Sequence, residues 1–213
     1  MEVIYRDLFL RELKVIGIED DFYPVGASGN HGLLYLITRC LRNLPIQHVC
    51  ELGTGQSTLL ISRIKTALHS NFEATSIEHD IAWVRELSPH ICHKIVHAPL
   101  KPRAIQGHQI EYYDHPSIAT GPAIDFLIID GPPANSSGSH FNRMGCLELI
   151  EKRVKDDFVI VIDDAERKPE YALARRIRST LRQRGCDYRE SAIKAMKTQI
   201  VLAAGHLKQA CYF

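Results

Sequence analysis

Residues 51–58 read ELGTGQST, Glu51 to Thr58, and directly follow the apolar stretch IQHVC of residues 46–50. Two glycines one residue apart, Gly53 and Gly55, placed right after a strand-like run, mark a backbone that comes very close to a ligand. A nicotinamide-type G-x-G-x-x-G turn wants glycine or alanine at its third place, so that the helix packs closely on the strand. That place is Thr58 here. The turn has the form of a ligand-binding turn and departs from the dinucleotide pattern where shape matters most.

On either side of this turn, apolar runs of strand length alternate with helical stretches. IQHVCEL (46–52) precedes STLLISRIKTALH (57–69), whose Leu59, Leu60, Ile64 and Leu68 fall at helical spacing. ATSIEHD (74–80) precedes DIAWVREL (80–87), and KIVHAPL (94–100) closes a third unit. A linker with Pro102, Gly107 and Pro116 leads to AIDFLIID (123–130), whose continuous apolar run predicts a central strand buried on both faces. After GPPANSSGS (131–139) come a helix over about 140–153, a second buried strand DDFVIVIDD (156–164) and an arginine-rich helix over about 168–184. CDYRESAI (186–193) and TQIVLAAG (198–205) are close enough in sequence to form an antiparallel hairpin. The expectation is an α/β fold: a Rossmann-like, doubly wound, mostly parallel seven-stranded sheet with helices on both faces and a C-terminal antiparallel hairpin. Residues 1–213 suit one domain, with 1–44 as an N-terminal cap segment and first helix and 45–213 as the core.

Composition narrows the partners. Lys and Arg total 26 against 25 Asp and Glu, a formal charge of +1, which gives no broad basic footprint for nucleic acid. A small-molecule substrate is the expectation, with no nucleic-acid partner. The longest apolar runs are far short of the roughly 20 residues that cross a bilayer, and the N-terminus MEVIYRDLFLREL is too charged for a signal peptide. The chain reads as cytoplasmic, with no membrane association. Six cysteines, Cys40, Cys50, Cys92, Cys146, Cys186 and Cys211, are scattered without a C-x-x-C and read as reduced thiols. Around Cys92, a strand would put His93 and His97 on one face and the thiol on the other, which does not suit zinc. The apolar C-terminus, Ala210 to Phe213, suits either oligomerisation or cover for the chain's own sheet edge.

In a doubly wound sheet, ligands bind beyond the carboxyl ends of the strands where the strand order reverses. Those ends carry Glu51 with Gly53 and Gly55, then Glu78-His79-Asp80, His97-Ala98, Asp130-Gly131 and Asp163-Asp164. Acids at successive strand ends repel across a cleft and call for a ligand, a metal or a base role. An acid closing the first strand before G-x-G, with a second closing the next strand, suits S-adenosylmethionine: the glycines let backbone approach the methionine moiety, and Glu78 can accept both ribose hydroxyls.

ELGTGQST, SIEHDIAW, IVHAPL, DFLIIDGPP and VIVIDDAER together resemble a class I S-adenosylmethionine-dependent methyltransferase. The likeness is greatest to a small bacterial-type group with E-L-G-x-G-x-S-T, S-x-E-x-D-x-x-W, D-G-P-P and D-D-A-x-R motifs, and it spans about residues 25–185. It implies that Glu51, Gly53, Gly55 and Ser57 line the methionine end and Glu78 holds the ribose. His79 and Trp83 would stand near the adenine, His97 and Ala98 at its edge, and Asp130 beside the cofactor. Plainer readings stand beside these: Trp83 in a core or groove, His79 as a solvated neighbour of the helix cap Asp80, and Ser28 or Asn30 as a cap alone. The resemblance implies methyl transfer to oxygen or nitrogen of a small acceptor. Asp130, Asp163 and Asp164 are the catalytic candidates. They are also a candidate site for a divalent cation such as magnesium, because the resembling catechol-type methyltransferases hold magnesium with an acid after the fourth strand and an Asp-Asn pair after the fifth, Asp164 here standing for the Asn. The alternative is that Arg143 and Arg167 neutralise these acids, or clamp an anionic substrate group. Pro132-Pro133 followed by ANSSGS (134–139) suits a loop that closes over substrate. The rival functions are a nicotinamide-dependent oxidoreductase, disfavoured by Thr58 and by the lack of a Tyr-x-x-x-Lys pair, and a non-catalytic cofactor-binding protein.

Overall fold

In the computed structural model, which describes residues 1–24, 30–105, 107–134 and 140–213, helices α1 (Glu2–Ile16) and α2 (His31–Asn43) precede the sheet. The alternation then runs β1 (His48–Leu52), α3 (Gln56–Ala67), β2 (Glu73–Glu78), α4 (Ile81–Leu87) and β3 (Lys94–His97). A separate ribbon of β4 (Leu100–Ile105) and β5 (His108–Tyr113) follows, then β6 (Ile124–Ile129), α5 (Cys146–Arg153), β7 (Val154–Ile162) and α6 (Lys168–Gln183). The chain returns through β8 (Tyr188–Lys194) and β9 (Thr198–Ala204). Seven strands form one sheet in the order β3-β2-β1-β6-β7-β9-β8. All neighbours are parallel except β7 with β9 and β9 with β8. The expected seven-stranded, mostly parallel sheet with its closing hairpin is present, and the order reverses between β1 and β6.

Every residue of β6, IDFLII, is buried, because helices cover both sides of the sheet. The period of two along a strand divides the core. Leu127, Ile129, Ile160 and Ile162 pack with α5, α6 and the β4–β5 ribbon, while Phe126, Ile128, Val159 and Val161 pack with α1, α2 and α3. Asn30 caps α2, its Oδ1 accepting from the Leu33 backbone N–H at 3.0 Å. Ser28, the alternative cap, lies outside the described residues. Among the described residues no helix is long and apolar enough to cross a membrane.

Two segments differ from the sequence reading. Residues 100–113, expected as linker, form the antiparallel β4–β5 ribbon, with Pro102 opposite Glu111. Pro102 is tolerated because β4 is a solvent-facing edge, with no third strand among the described residues waiting for its missing N–H. Ile110, Tyr112 and Tyr113 on β5 supply the buried side. The helix expected over 140–153 starts as a 3-10 turn at Asn142–Gly145 and becomes α-helical only at Cys146. Gly145 lies against the Tyr112 ring, where a Cβ would overlap ring carbons.

At the amino edge of the sheet, Asp125 is 4% exposed and its carboxylate accepts from the backbone N–H groups of Gln47 (3.0 Å) and His48 (2.9 Å) and pairs with Lys155 Nζ at 3.0 Å. It ties the starts of β1, β6 and β7 together, far from the carboxyl edge. Asp125→Ala removes a buried acceptor and leaves these partly buried donors unpaired, and should cost about 1–3 kcal/mol of stability in urea unfolding. Ligand binding at the opposite edge should be unchanged.

Candidate functional site

The turn after β1 is held from beneath by Glu51. That carboxylate is 1% exposed and accepts from Ser57 Oγ (2.5 Å), Thr58 Oγ1 (2.7 Å) and Ser76 Oγ (2.6 Å). Burial pushes the Glu51 carboxyl up from its ordinary value, and the three hydroxyls oppose that shift. Thr58 Oγ1 also accepts from the Gly55 N–H at 2.9 Å. Thr58 is thus a strut of the turn, a role the alanine or glycine of a dinucleotide turn does not have. Gly53 has φ +87°, in the left-handed region, and a Cβ there would lie 3.2 Å from the Asp130 carbonyl. A Cβ on Gly131 would come within 2.7 Å of the Gly53 nitrogen. The ends of β1 and β6 therefore meet backbone to backbone, which only glycine allows. Gly55 is different: among the described residues a Cβ there would meet nothing within 4 Å.

Glu78, 4% exposed at the end of β2, is surrounded by donors. Its Oε2 accepts from Thr54 N (3.0 Å) and Thr54 Oγ1 (2.8 Å), its Oε1 from the N–H groups of His79 (2.8 Å) and Asp80 (2.9 Å), and His79 Nδ1 lies 2.6 Å from Oε1. Burial works to raise this carboxyl, but the His79 contact, the Asp80 N–H and Thr54 outweigh it and hold the carboxyl at about 2. The pairing with Glu78 raises His79 in turn, against its own partial burial. Asp80 caps α4 through the N–H groups of Ala82 and Trp83. Trp83 is 36% exposed, and its Nε1 donates to the Thr54 carbonyl at 3.2 Å, so the indole lies beside the turn and outside the core. His97 Nε2 is 3.1 Å from the His79 carbonyl, and the buried Ala98 donates its N–H to the Glu78 carbonyl at 2.7 Å.

At the ends of β6 and β7 the acids are threaded by cations. Arg143, 5% exposed, donates through Nη2 to the Asp130 carbonyl (2.8 Å), Asp130 Oδ1 (3.2 Å) and Asp164 Oδ2 (3.1 Å), and through Nη1 to the Asp163 carbonyl (3.2 Å). Its Nε donates to the Pro132 carbonyl at 3.4 Å and lies 3.8 Å from Glu170 Oε1. Arg167 Nη2 reaches Asp164 Oδ2 at 3.1 Å, and Lys197 Nζ reaches Asp164 Oδ1 at 3.1 Å and Asp163 Oδ2 at 3.6 Å. Asp164 is in the left-handed region, φ +58°, a conformation that aspartate tolerates better than most residues. The fully buried Asp163 accepts on Oδ1 from Gln199 Nε2 (2.6 Å) and Asn30 Nδ2 (3.3 Å). Burial, and after it the Asp163 carboxylate, pushes the Asp130 carboxyl well up from the usual range. Glu2, at the start of α1, accepts on Oε1 from His31 N (2.9 Å) and on Oε2 from the N–H of Met196 (3.0 Å), the residue before Lys197.

The two ends open into one pocket of about 290 Å³. Gly53, Thr54, Glu78, His79 and Trp83 line one part of it, and Asp130, Arg143, Asp164, Arg167 and Lys197 the other. Tyr113, from the end of β5, adds a buried hydroxyl that has no hydrogen-bond partner among the described residues. Of the residues expected from sequence, Gly53, Glu78, His79, Asp130 and Asp164 line the pocket, while Glu51, Ser57, His97, Ala98 and Asp163 stand behind its wall and Gly55 borders open space. The expected closing loop ANSSGS lies, past Ala134, outside the described residues.

Thr54, Tyr113 and Lys197 were not expected. A signal for Lys197 does exist: β9 runs antiparallel to β7, so the turn before it must return to the carboxyl edge beside Asp163 and Asp164. The Ala165 N–H to Thr198 carbonyl bond, 2.8 Å, marks that return.

One oxygen each of Asp130, Asp163 and Asp164 lies within 4.8 Å of the others, the spacing a metal would need. Yet Arg143 already holds Asp130 Oδ1, both Asp164 oxygens face cations, and Asp163 Oδ1 is taken by two amides. A hard cation needs those oxygens free, so the residues present do not fit it. Among the described residues no other cluster of histidine, cysteine and acid side chains has metal-holding spacing.

No protein-family profile matches the chain, and no curated protein does. Among solved structures the chain is similar to the precorrin-6y C5,15-methyltransferase of Geobacter metallireducens GS-15, with 14% identity, TM-score 0.52, and 90% of this chain and 99% of that one covered. It is also similar to the O-methyltransferase of Bacillus cereus in complex with SAH, with 14% identity, TM-score 0.52, and 93% and 91% coverage. The likeness is one of fold: this chain has the Rossmann-like architecture of these methyltransferases.

The Glu78 cluster gives a pH signature. A carboxyl held at about 2 against an ordinary 4.5 contributes stability that is fully present above pH 4.5 and lost as pH falls through about 2. In urea unfolding, Glu78→Gln should be less stable than the natural chain near pH 6, and the difference should close between pH 4.5 and 2. A gap that persists at the acid end would contradict this ion-pair account.

Proposed function

We propose that the chain is an S-adenosylmethionine-dependent methyltransferase that acts on oxygen or nitrogen of a small acceptor. The observation that carries this reading is the pocket at the β1/β6 switch point, which joins an ionised carboxylate and an exposed indole at one end to an acid–arginine cluster at the other. A nucleoside needs that combination: an acceptor for its diol and an aromatic edge for its base. Of the donors on Glu78, Thr54 Oγ1 and the His79 ring belong to side chains that can turn away, whereas the N–H groups of Thr54, His79 and Asp80 are fixed. A ribose diol would replace the two movable donors and leave the fixed ones in place. Trp83 would cover the adenine, and Gly53 and Thr54 would present backbone to the methionine portion. Glu51 and Ser57 act from behind as positioning residues, through the turn.

When bound, the cofactor supplies a sulfonium methyl group, whose carbon–sulfur bond breaks with its electron pair left on sulfur as the new bond forms to the acceptor. The chain's part is placement and charge. We assign Asp130 to take the acceptor's proton: its side chain is 21% exposed at the pocket, and although burial raises its carboxyl, Arg143 on Oδ1 and Lys197 favour the ionised form that a base requires. Arg167 and Lys197 line the same end and would orient an acceptor that bears negative charge. The nicotinamide reading has no support from the turn, since Thr58 is built into its hydrogen bonding.

Calorimetry with S-adenosylhomocysteine tests the reading. The natural chain should bind it in preference to NAD. Glu78→Ala should weaken binding by about 1.5–3 kcal/mol for each charge-assisted hydrogen bond lost. Gly55→Val, whose Cβ would meet no described atom within 4 Å, should impair binding while the melting temperature falls only modestly. Preference for NAD, or full affinity in both variants, would overturn the assignment.

A further inference from the structure

The acid cluster keeps two carboxylates whose charge is answered from one side by a single ammonium. Asp163 is fully buried, its Oδ2 has no hydrogen bond among the described residues, and its nearest cation is Lys197 Nζ at 3.6 Å. Asp164 Oδ1, also buried, has Lys197 at 3.1 Å. An uncompensated buried carboxylate is strongly destabilising, and the Lys197 ammonium is the cation that faces these two oxygens. The backbone fixes the lysine there. The Met196 N–H is held by Glu2 at 3.0 Å, the Thr198 N–H by Glu166 Oε2 at 2.7 Å, and the Thr198 carbonyl by Ala165 at 2.8 Å, so both neighbours of Lys197 are anchored. The lysine side chain is only 12% exposed, and what is exposed lines the pocket.

We propose that the Lys197 ammonium stands permanently in the position of a divalent cation, so that the pocket binds no metal ion, and that loss of this one side chain would uncover a latent metal site made of Asp130, Asp163 and Asp164. Without Lys197, Asp163 Oδ2 and Asp164 Oδ1 lose the cation that faces them, while Arg143 keeps Asp130 Oδ1 and Arg143 and Arg167 keep Asp164 Oδ2; each acid still offers one oxygen within 4.8 Å of the others, the spacing a hard cation needs. Arg143 cannot take over, because its guanidinium is already spread over the Asp130, Pro132 and Asp163 carbonyls. This inference builds on the proposed function for its meaning, since it makes methyl transfer at this site metal-independent, but its geometry stands without it.

The test is manganese binding, followed by electron paramagnetic resonance and by thermal melts, on the natural chain and on Lys197→Met, Lys197→Arg and Lys197→Met/Asp164→Asn. The natural chain and Lys197→Arg should take up no stoichiometric manganese. Lys197→Met should bind one ion per chain, with a dissociation constant at least about tenfold lower than any residual binding by the natural chain, and the added Asp164→Asn should abolish it. If Lys197→Met melts without cooperativity in metal-free buffer, recovery of a cooperative melt on adding manganese counts as uptake. Two results overturn the proposal: one manganese ion bound per natural chain, or a Lys197→Met chain that neither binds manganese nor is rescued by it. S-adenosylhomocysteine calorimetry on the natural chain is run in parallel. Failure to bind that ligand sinks the methyltransferase reading and leaves the role of Lys197 to be decided by the manganese data alone.

Discussion

The carboxyl edge of the sheet depends on one buried guanidinium. Arg143 reaches from the 3-10 turn before α5 into the space where β6, β7 and the start of α6 converge, and spends its donors on three carbonyls and two carboxylates. A guanidinium does not lose its proton at any pH a protein survives, and its planar fork can bond in several directions at once. Asp130, Asp164 and Glu170 can therefore crowd together without a removable ion to hold them apart. A lysine could supply the charge but not the geometry. The same bonds fix the Asp130 and Pro132 carbonyls, and with them the Gly131 backbone on which the turn after β1 rests.

The pocket owes its two characters to different kinds of support. At the Glu78 end, backbone N–H groups and a histidine keep the carboxylate ionised. At the Asp130 end, burial and neighbouring acids favour the protonated form of the carboxyl, and cations limit how far that goes. A single sheet edge thus holds one carboxyl that stays charged and another suited to exchange a proton, two demands that a common environment could not meet.

Much of this was legible in the sequence because it rests on local rules. The FLII and FVIVI runs could only be strands covered on both sides, the C-terminal hairpin followed from alternation and spacing, and acids at strand ends marked the functional edge. What was not legible depends on contacts distant in sequence. Pro102 reads as a linker signal, and only the edge position of β4 makes it compatible with a strand. Glu51 is expected at a ligand in the resembling motif, yet Ser57, Thr58 and Ser76 consume its carboxylate, and of these Ser76 lies on a different strand. Tyr113 and Lys197 sit in no motif. They reach the pocket because a ribbon folds under the sheet and because the last strand runs backwards.

Glu2 carries a practical consequence. With one carboxylate it holds the start of α2 through His31 and the turn bearing Lys197 through Met196, so the second residue of the chain is wired to the floor of the pocket. Purification handles and fusion partners are commonly attached in front of the first methionine on the assumption that a leading helix is inert. In this chain a leader rich in lysine or arginine there would compete for the carboxylate that steadies the Lys197 turn. A handle placed after Phe213 leaves that linkage alone, and material prepared both ways would be the natural control for any measurement made at the pocket.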